Sequence, residues 1–348
     1  MIRVAVVILN WNGRKYLEKY LPSVVRYSSA SDIEIWVADN GSTDDSVEWL
    51  AQNMPEVKVL KLSKNYGFAE GYNIAIEKIN SEYTVLLNSD VEVTQGWLDE
   101  PIRYLEEHQR ASAVQPKILQ MNDRKRFEFA GAAGGYIDAL GYPFCKGRML
   151  KTLEEDHGQY DKMAPVFWAS GACLIIRRED FVDYGGFDPQ FFAHQEEIDL
   201  CWRLQSRGKY LVYMPQSVVY HVGGGSLSAD NPFKTYLNYR NNLLMVYKNA
   251  PASRLWWMML LRFLTDWLSI VLYLLQFKPK MAAAAIKGRW HYHTMRRKCR
   301  PSRAENREHA IVNNIQTQWH GILPLHYYLF FGKTFQTLHF VPKVKNLN

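Results

Sequence analysis

The sequence contains few cysteines, and none of them form the close Cys-x-x-Cys pairs that bind structural zinc or begin a disulfide framework. The four are Cys145, Cys173, Cys201 and Cys299. Scattered cysteines of this kind are typical of a cytosolic protein, so we expect reduced and buried thiols. No charged leader or cleavage site precedes the first apolar run, and we therefore expect no signal peptide.

Two common nucleotide-binding motifs are also missing. No Gly-x-Gly-x-x-Gly pattern follows an early strand, and no Gly-x-x-x-x-Gly-Lys-Ser/Thr phosphate loop occurs in the chain. A dinucleotide-binding dehydrogenase and a P-loop enzyme are therefore disfavoured. With 47% hydrophobic and 22% charged residues, the 348-residue chain has the composition of a globular protein and is long enough for one large domain or two.

Acidic residues are almost absent from the end of the chain. After residue 277 there are 13 Lys and Arg residues but only two acids, Glu305 and Glu308, although the whole chain carries a net charge of +7. The preceding residues are therefore slightly acidic. A basic tail on an acidic body predicts contact with an anionic surface, either a membrane or a nucleic acid.

Short apolar runs alternate with amphipathic stretches over the first 90 residues. The runs at 4–9, 33–38, 57–62 and 83–87 predict buried strands, and helices are expected between them. This alternation predicts a doubly wound α/β domain. We expect Ser42 or Thr43 to cap the second helix, and a loop over 65–73 before the third. The glycine-bearing stretch 110–165 predicts loops and short strands.

The fourth run ends at Asn88-Ser89-Asp90. Ligands of open α/β sheets bind at the carboxyl ends of the strands, and a carboxylate beside an amide oxygen there suits a hard divalent cation. Alternatively, Asp90 caps a turn or helix and Asn88 shapes the loop. Asp39 ends the second strand and either bonds a ribose or base N–H or stabilises the following turn.

An acidic cluster begins a predicted helix further along the chain. Glu196 and Asp199 lie one turn apart, with Glu197 between them and Arg203 four residues beyond Asp199. The cluster is either functional or an acidic helix start favoured by the macrodipole. His221 ends a later strand-like run, before a glycine stretch, where it is either a metal ligand or an ordinary polar group.

Eight short segments resemble, in order, those of the family 2 inverting glycosyltransferases, which have the GT-A nucleotide-diphospho-sugar transferase fold. The rhamnosyltransferase-like bacterial group is the most similar. The resemblance implies a mostly parallel central sheet flanked by helices, with a helical C-terminal extension. The segments are 7–12, 37–44, 65–69, 87–90, 170–172, 186–188, 196–200 and His221.

The resemblance also implies site roles. Asp90 and His221 are expected to hold Mg²⁺ or Mn²⁺. Glu197 is the expected catalytic base, with Glu196 as a rival and Asp199 beside them. Glu197 stands where the family usually has Asp, and Asn88 replaces the first Asp of the family's Asp-x-Asp. Trp168, Ser170 and Gly171 are expected on the acceptor side. The expected donor-binding residues are Leu9, Asn10, Asn12, Asp39, Asn65, Gly67, Asn73, Asn88 and Ser89.

The implied activity is transfer of a sugar, with inversion, from a nucleotide-diphospho-sugar to a hydroxyl of a glycan or polyprenyl-linked acceptor in surface polysaccharide synthesis. dTDP-rhamnose is the expected donor, with UDP-hexoses next. A nucleotidyltransferase of related fold would need a glycine-rich basic loop after the first strand, where the chain offers only Arg14-Lys15 within a helical stretch. A catalytically silent nucleotide-sugar-binding module is a second alternative.

Residues 255–277 are apolar over a length that could span a bilayer, but they include Arg262 and Asp266. An interfacial helix with a basic flank is the preferred interpretation, followed by a buried helix and then a spanning one. We expect a catalytic domain over 1–230 and a helical, basic region over 231–348. The protein is expected at the inner face of the cell membrane, without nucleic acid, and with oligomerisation through the C-terminal helices as an option.

Overall fold

A mixed β-sheet with helices on both faces forms the centre of the protein. The computed structural model describes residues 2–223, 231–330 and 332–343. The strands are β1 (Ile2–Asn10), β2 (Ile33–Asp39), β3 (Lys58–Lys61), β4 (Ser81–Asn88), β5 (Val91–Val93), β6 (Ala111–Gln120), β7 (Gly135–Ile137), β8 (Pro143–Cys145), β9 (Arg148–Met149), β10 (Thr152–Leu153), β11 (Ala164–Val166), β12 (Cys173–Arg177) and β13 (Tyr210–His221).

Helices follow most of the early strands and dominate the C-terminal third. The α-helices are α1 (Arg14–Tyr27), α2 (Ser46–Asn53), α3 (Gly67–Lys78), α4 (Asp99–Glu107), α5 (Arg178–Asp183), α6 (Glu196–Ser206), α7 (Pro232–Asn249), α8 (Ala252–Leu275), α9 (Pro279–Met295), α10 (Arg300–Glu308) and α11 (Leu323–Leu329). Short 3₁₀ turns cover Pro189–Phe191 and Phe335–Leu338.

Within the described residues, the main sheet has the strand order β11-β13-β6-β12-β4-β1-β2-β3, and β5 pairs with β13. Strands β4, β1, β2 and β3 are parallel, as are β6 and β13, while β12 runs antiparallel to both β4 and β6. Four smaller strands, β7 to β10, form a separate antiparallel sheet. The α/β fold class expected from the sequence is confirmed, with the parallel strands concentrated in the first 90 residues.

Alternate residues of β1 enter two different apolar clusters, one on each face of the sheet. Val4, Val6 and Ile8 belong to a cluster that includes α1 and α4 side chains, whereas Ala5 and Val7 belong to a cluster that includes α3 side chains. A strand covered on both faces loses the apolar–polar alternation and appears in the sequence as a continuous apolar run. The β1 run has this form for that reason.

Several local predictions were wrong. Asp44, rather than Ser42 or Thr43, accepts the hydrogen bond from the backbone N–H of Ser46 at the start of α2 (3.2 Å). Helix α3 begins at Gly67, so most of the predicted loop 65–73 is helical. Within the stretch predicted as loops and short strands lies β6, a ten-residue strand that is almost wholly buried.

Strand β6 was not predicted from the sequence because several of its buried residues are polar. The Gln115 side chain donates to the Gly131 carbonyl (2.7 Å) and accepts from the Ser170 N–H (2.9 Å). The Lys117 ammonium is paired with Asp156 and Asp161. Buried polar groups are tolerated in a strand when such partners are present. The polar residues of this segment are therefore compatible with a buried strand, although in the sequence they suggested a loop.

Helix α7 packs into the same apolar cluster as the part of the chain that forms the main sheet. Its residues 243–246 are fully buried and join Tyr136, Phe191 and Leu200 in one cluster. The cluster also takes in Phe335 from the end of the described chain. The predicted division at residue 230 therefore does not separate two hydrophobic cores.

Helix α8 turns its charges inward and its apolar side chains outward. Arg262 and Asp266 are almost fully buried, and the Asp266 carboxylate accepts from Tyr142 Oη (2.9 Å) and pairs with Arg289. Among the described residues this is the one helix long and apolar enough to cross a membrane. The exposed apolar residues are Trp256, Leu260, Phe263, Leu264, Trp267, Leu268, Val271, Leu272, Leu274 and Leu275. We call this set the α8 outer face.

The four cysteines are buried and free, as the sequence predicted. Burial raises the pKa of Cys145 to about 11 and that of Cys201 to about 12, so these thiols stay protonated at neutral pH. Thiols in this state are poor nucleophiles and poor metal ligands. The described cysteines therefore contribute packing rather than chemistry.

Candidate active site

The carboxyl ends of three neighbouring parallel strands bring predicted donor-binding residues together. The register pairs Asn10 at the end of β1 with Asp39 of β2, and Leu9 with Asn88 of β4. Leu9 packs against Gly71 of α3, and Ser89 lies beside Gly13 at the start of α1. This row occupies the edge at which open α/β sheets bind ligands.

Asp39 uses both carboxylate oxygens within the protein. Oδ1 accepts from the Asn10 side chain (3.2 Å) and Oδ2 from the Ser42 backbone N–H (3.1 Å). Asn12 has a positive φ of 50° and its Oδ1 accepts from the Thr43 N–H (2.7 Å), which ties the turn after β1 to the turn after β2. Asp39 therefore stabilises the turn, which is one of its two predicted roles.

The loop before α3 is attached to the same edge through Asn40. Its side chain donates to the Gly67 carbonyl (2.9 Å) and accepts from the Tyr66 N–H (2.9 Å), while Asn65 Oδ1 accepts from the Gly67 N–H (2.8 Å). Gly67 has a φ of +80°, and a Cβ there would meet the Phe192 ring at about 2.5 Å. Glycine is required here by both backbone conformation and space.

Two predicted site residues are hydrogen-bonded to backbone atoms of the protein. Asn73 clamps the backbone of Phe187, donating to its carbonyl (2.8 Å) and accepting from its N–H (2.9 Å). Trp168 is buried and donates its indole N–H to the Tyr136 carbonyl (2.9 Å). The polar groups of Asn73 and Trp168 are thus satisfied by backbone atoms of the protein, and their expected roles at the donor and acceptor sites stay predictions.

The other two acceptor-side residues lie next to the end of β4. Ser170 is buried and donates its hydroxyl to the Ala130 carbonyl (2.7 Å), and Gly171 lies against the Phe68 ring. The neighbouring Ala172 carbonyl accepts from the Asn88 N–H (3.0 Å). The segment thus supports the strand end that leads to Asp90, and its contacts are with protein atoms.

Asp90, His221 and Glu128 form a buried row of acid, imidazole and acid. His221 Nε2 lies 3.1 Å from Asp90 Oδ1, and His221 Nδ1 lies 3.5 Å from Glu128 Oε1. Burial lowers the pKa of His221, but the Asp90 and Glu128 carboxylates outweigh burial and raise this pKa to about 10. Burial raises the pKa of Glu128, but contact with His221 outweighs it and lowers that pKa overall.

This row fits a divalent cation that takes further ligands from a substrate. Mg²⁺ and Mn²⁺ accept carboxylate oxygens and keep positions for phosphate, and a ligating His commonly has a carboxylate behind its other ring nitrogen. Glu128 lies behind His221 Nδ1 in this way, and a cation held by Asp90 and His221 would take the place of the proton on His221 Nε2. Within the described residues, no three His, Cys, Asp or Glu side chains form a complete metal cage. The substrate would have to complete the coordination.

The segment before α6 has a rare backbone. Phe192, His194 and Gln195 all have positive φ, at 65°, 71° and 76°. Phe192 forms a strained three-residue turn in which the Ala193 N–H donates to the Phe191 carbonyl (2.8 Å). Non-glycine residues in such conformations cost about 1–3 kcal/mol each and cluster at functional sites.

This segment, which we call the 192–195 loop, lies at the carboxyl edge of the sheet. The Phe192 carbonyl accepts from the N–H groups of Phe68 (2.7 Å) and Ala69 (3.2 Å) in the first turn of α3. Helix α6 begins immediately afterwards at Glu196. The acidic cluster is therefore at the same edge as the strand-end residues.

The three acids of α6 have different environments. Glu196 is buried, and burial together with the Glu197 charge raises its pKa well above the usual range. Glu197 is only partly buried, and burial raises its pKa to about 7, although nearby backbone N–H groups lower it. Neither Glu196 Oε2 nor Glu197 Oε2 has a hydrogen-bond partner within the described chain.

Asp199 is held in a buried ion cluster. Its oxygens lie 2.8 Å from Lys248 Nζ, 3.2 Å from Arg203 Nε and 2.7 Å from the Asn249 amide nitrogen. Burial raises the pKa of Asp199, but the charges of Lys248 and Arg203 outweigh burial and lower this pKa overall. Asp199 therefore anchors α6 to α7, and its contacts do not support the catalytic role expected for it.

Several residues of the site were missed in the sequence. Glu128 lies in a stretch without clear periodicity, and only the fold brings it to His221. Asn241 and Lys248 of α7 contact the 192–195 loop and Asp199, yet they look like ordinary polar positions of a helix. The positive φ values in the 192–195 loop could not be predicted from the sequence either, because this segment contains no glycine.

Comparison with known proteins supplies the family. The model for Glycosyl transferase family 2 matches residues 5–185. The N-acetylglucosaminyl-diphospho-decaprenol L-rhamnosyltransferase of Mycobacterium tuberculosis is 26% identical over 268 residues, covering 72% of this chain and 85% of that protein. A low-salt glycan biosynthesis hexosyltransferase of Haloferax volcanii is 23% identical, covering 83% of this chain and 90% of that protein.

A solved structure agrees at the level of the fold. GalNAc-T7, determined with UDP, GalNAc and Mn²⁺, aligns with a TM-score of 0.54 at 18% identity, over 71% of this chain and 48% of that one. It is a GT-A glycosyltransferase. Since the family model covers just over half of the chain and the fold agrees, this protein belongs to glycosyl transferase family 2 and is a glycosyltransferase with the GT-A fold.

Proposed function

We propose that the protein transfers a sugar, with inversion, from a nucleotide-diphospho-sugar to an acceptor hydroxyl, using Glu197 as the general base. The observation that carries this proposal is the Glu197 carboxylate at the start of α6, with an unpartnered oxygen and a pKa of about 7. A general base is most effective when its pKa lies near the working pH, which a pKa of about 7 satisfies at neutral pH. Glu196 is less suited, because it is buried and because burial and the Glu197 charge raise its pKa well above the usual range, which disfavours the charged form that a base needs.

The reaction needs one base and no covalent enzyme intermediate. Glu197 takes the proton of the acceptor hydroxyl as that oxygen attacks the anomeric carbon, and the bond to the nucleoside diphosphate breaks on the opposite face. Asp90 and His221 would hold a divalent cation, with Glu128 fixing the His221 ring. A bound cation would neutralise negative charge on the departing diphosphate.

The relatives guide the choice of substrates. The mycobacterial relative is named for rhamnose transfer to N-acetylglucosaminyl-diphospho-decaprenol. We therefore propose dTDP-rhamnose as donor, with UDP-hexoses next, and a polyprenyl-diphosphate-linked sugar as acceptor. The test is release of nucleoside diphosphate from a panel of nucleotide sugars, with and without such an acceptor. Turnover with a GDP-sugar alone would contradict the donor assignment, and no turnover with any donor would favour a silent binding module.

The pH dependence of transfer tests the proposed base. The rate with saturating donor should rise with pH and level off above about 7, because Glu197 must lose its proton and burial holds its pKa there. On the same helix, burial raises the pKa of Glu196 and raises that of Cys201 to about 12, whereas the Lys248 and Arg203 charges outweigh burial and lower the pKa of Asp199. The measurement is the rate between pH 5.5 and 9.

A rate that stays constant down to pH 5.5 would contradict this assignment. The same would follow if the acidic limb survived in Glu197→Gln, since that variant has no group to titrate at this position. Donor binding, measured by calorimetry across the same pH range, controls for titration of groups that bind the diphosphate. It should change far less than the rate between pH 6 and 8.

We further propose that the α8 outer face rests on the cytoplasmic leaflet, near a lipid-linked acceptor. The face is apolar over much of α8, and exposed basic residues follow it. They include Lys280, Lys287, Arg296, Arg297 and Lys298. An apolar helix surface with a basic flank is suited to the interface of an anionic membrane. The burial of Arg262 and Asp266 supports a helix lying on the membrane rather than crossing it.

Vesicle binding tests this location. The protein should sediment with vesicles containing anionic lipid at low salt and be released only partly at high salt. Each basic residue near the surface contributes about 1 kcal/mol that salt screens, while the apolar term remains. Leu264→Asp combined with Leu268→Asp should abolish the salt-resistant part, because both side chains are more than half exposed.

The matched control is Val182→Asp, which adds a charge at an exposed apolar residue of α5, away from the α8 outer face. It should leave vesicle binding unchanged. A wild-type protein that stays in the supernatant at low salt would contradict the membrane proposal. If that protein also eluted as a dimer, and the double Asp variant as a monomer, the face would be a subunit interface.

A further inference from the structure

The polar side chains of α7 face the backbone of the 192–195 loop. The Asn241 amide nitrogen lies 2.9 Å from the carbonyl oxygens of Phe191 and Ala193, and 2.8 Å from that of His194. Asn241 itself is fully buried. One side-chain amide therefore contacts three backbone carbonyls within four residues of a strained segment.

The orientation of this amide is fixed by its neighbour. Arg240 Nε donates to Asn241 Oδ1 (2.8 Å), and Arg240 Nη2 donates to the carbonyls of Gln190 (3.0 Å) and Phe191 (2.9 Å). Because Oδ1 is taken by a guanidinium donor, the amide nitrogen has to face the loop. Arginine has no acceptor atom, so the reverse orientation would place two donors against each other.

Asn242 holds the last residue of the loop. Its amide nitrogen donates to Gln195 Oε1 (3.0 Å) and to the Gly141 carbonyl (2.8 Å), and its Oδ1 accepts from Arg262 of α8. Gln195 has a φ of 76° and immediately precedes Glu196. The side chains of α7 thus contact the carbonyls of Ala193 and His194 and the side chain of Gln195 within the loop.

The start of α6 depends on this loop remaining left-handed. If Gln195 and His194 adopted ordinary helical φ values, α6 would begin earlier in the chain. A helix has 3.6 residues per turn, so a change in its start and path alters the direction in which the Glu197 side chain points. A general base has to lie within hydrogen-bond reach of the proton that it removes.

We propose that Asn241 is a positioning residue for the transfer reaction: its amide holds the 192–195 loop in the left-handed form that directs the Glu197 carboxylate toward the acceptor. This inference rests on the proposed role of Glu197 as the base. Helix α7 lies outside residues 5–185, which the family model matches. The inference gives this helix a role in orienting the catalytic base.

The test compares Asn241→Leu, which keeps the branched shape but removes the donor, with Asn238→Ala as a control on the same helix. Asn241→Leu should lower kcat by roughly 10–100-fold, the usual effect of losing a side chain that orients a functional group. The donor Kd should stay within about twofold of wild type. The acidic limb of the rate profile should move below its wild-type position as Glu197 gains access to water. Asn238→Ala should match wild type in all three measurements.

A double-mutant cycle separates positioning from general stabilisation. If Asn241 acts through Glu197, adding Asn241→Leu to Glu197→Gln should cost little more than Glu197→Gln alone. Equal fractional losses in both backgrounds would overturn the inference, as would a lower melting temperature with unchanged kcat and pH profile. Asn241→Ser keeps a hydroxyl donor and should show a smaller loss of kcat, which provides a second variant if Asn241→Leu does not fold.

The outcomes distinguish this inference from the function on which it rests. Wild-type protein without transfer activity would refute the proposed function itself. An active Glu197→Gln variant would refute the base assignment, whatever Asn241 does. Full activity of Asn241→Leu, in a protein whose Glu197→Gln variant is inactive, would refute only the positioning role.

Discussion

Glu197→Gln is expected to lower the transfer rate by roughly 10²–10⁴-fold, the usual contribution of a general base. Glutamine has the same shape but cannot accept the acceptor's proton. The affinity for the nucleotide donor should barely change, because the proposed role of Glu197 is on the acceptor side. Initial rates with saturating donor and acceptor, together with donor Kd from calorimetry, give the two numbers required.

Glu196→Gln is the matched control. Burial and the Glu197 charge raise the pKa of Glu196, so glutamine replaces a group whose ionisation is disfavoured here, and activity should stay close to wild type. A raised pKa in the folded chain also means that stability is lost as pH rises above the ordinary value for Glu. Glu196→Gln should therefore be more stable than wild type at pH 9 and similar at pH 5. If Glu196→Gln were inactive and Glu197→Gln active, Glu196 would be the base and Glu197 would not.

Asp90→Ala is expected to lower transfer by about 10²–10³-fold or more, the effect of removing one group that stabilises charge in a transition state. The variant loses the carboxylate that faces His221 and with it the proposed cation site. Wild-type protein should lose activity in excess EDTA and regain it with Mn²⁺ or Mg²⁺. Binding of Mn²⁺ in the presence of nucleoside diphosphate, followed by electron paramagnetic resonance, should be present in wild type and absent in Asp90→Ala.

Glu92→Ala provides the control, because Glu92 lies two residues away and pairs with Arg124 at the surface (2.8 Å). It should keep both activity and Mn²⁺ binding. Full activity of Asp90→Ala, or of wild type in EDTA, would remove the cation from the proposed reaction. Circular dichroism of each variant verifies that the fold survives, since Asp90 lies after a buried strand whose pairing does not use its side chain.

The sequence was most informative where the chain is locally regular. Apolar runs such as Val4–Leu9 located the parallel strands, and the parallel arrangement then fixed where their polar ends meet. Asn10, Asp39 and Asn88 could be placed at one edge for this reason alone. The acidic start of α6 was also predicted correctly, because the spacing of Glu196, Asp199 and Arg203 is that of a helix.

Long-range contacts explain what the sequence could not provide. Trp168 and Asn73 were expected at the site but bond to backbone atoms of residues 32 and 114 positions away. Glu128 and Asn241 reach the site only through the packing of segments distant in the chain. Left-handed backbone at Phe192, His194 and Gln195 opposes the local preferences of these residues and exists because other elements hold it.

The shared apolar cluster of α7 and the catalytic sheet has a consequence for how this protein can evolve. Residues 243–246 pack with Tyr136 and Phe191, and Asn241 and Lys248 of the same helix contact the loop and the acids at the start of α6. Recombination that exchanged the region after residue 230 between relatives would separate these partners. The C-terminal helices and the catalytic sheet are therefore expected to be inherited as one unit, so that a change of acceptor would arise by substitutions within the chain rather than by exchange of its tail.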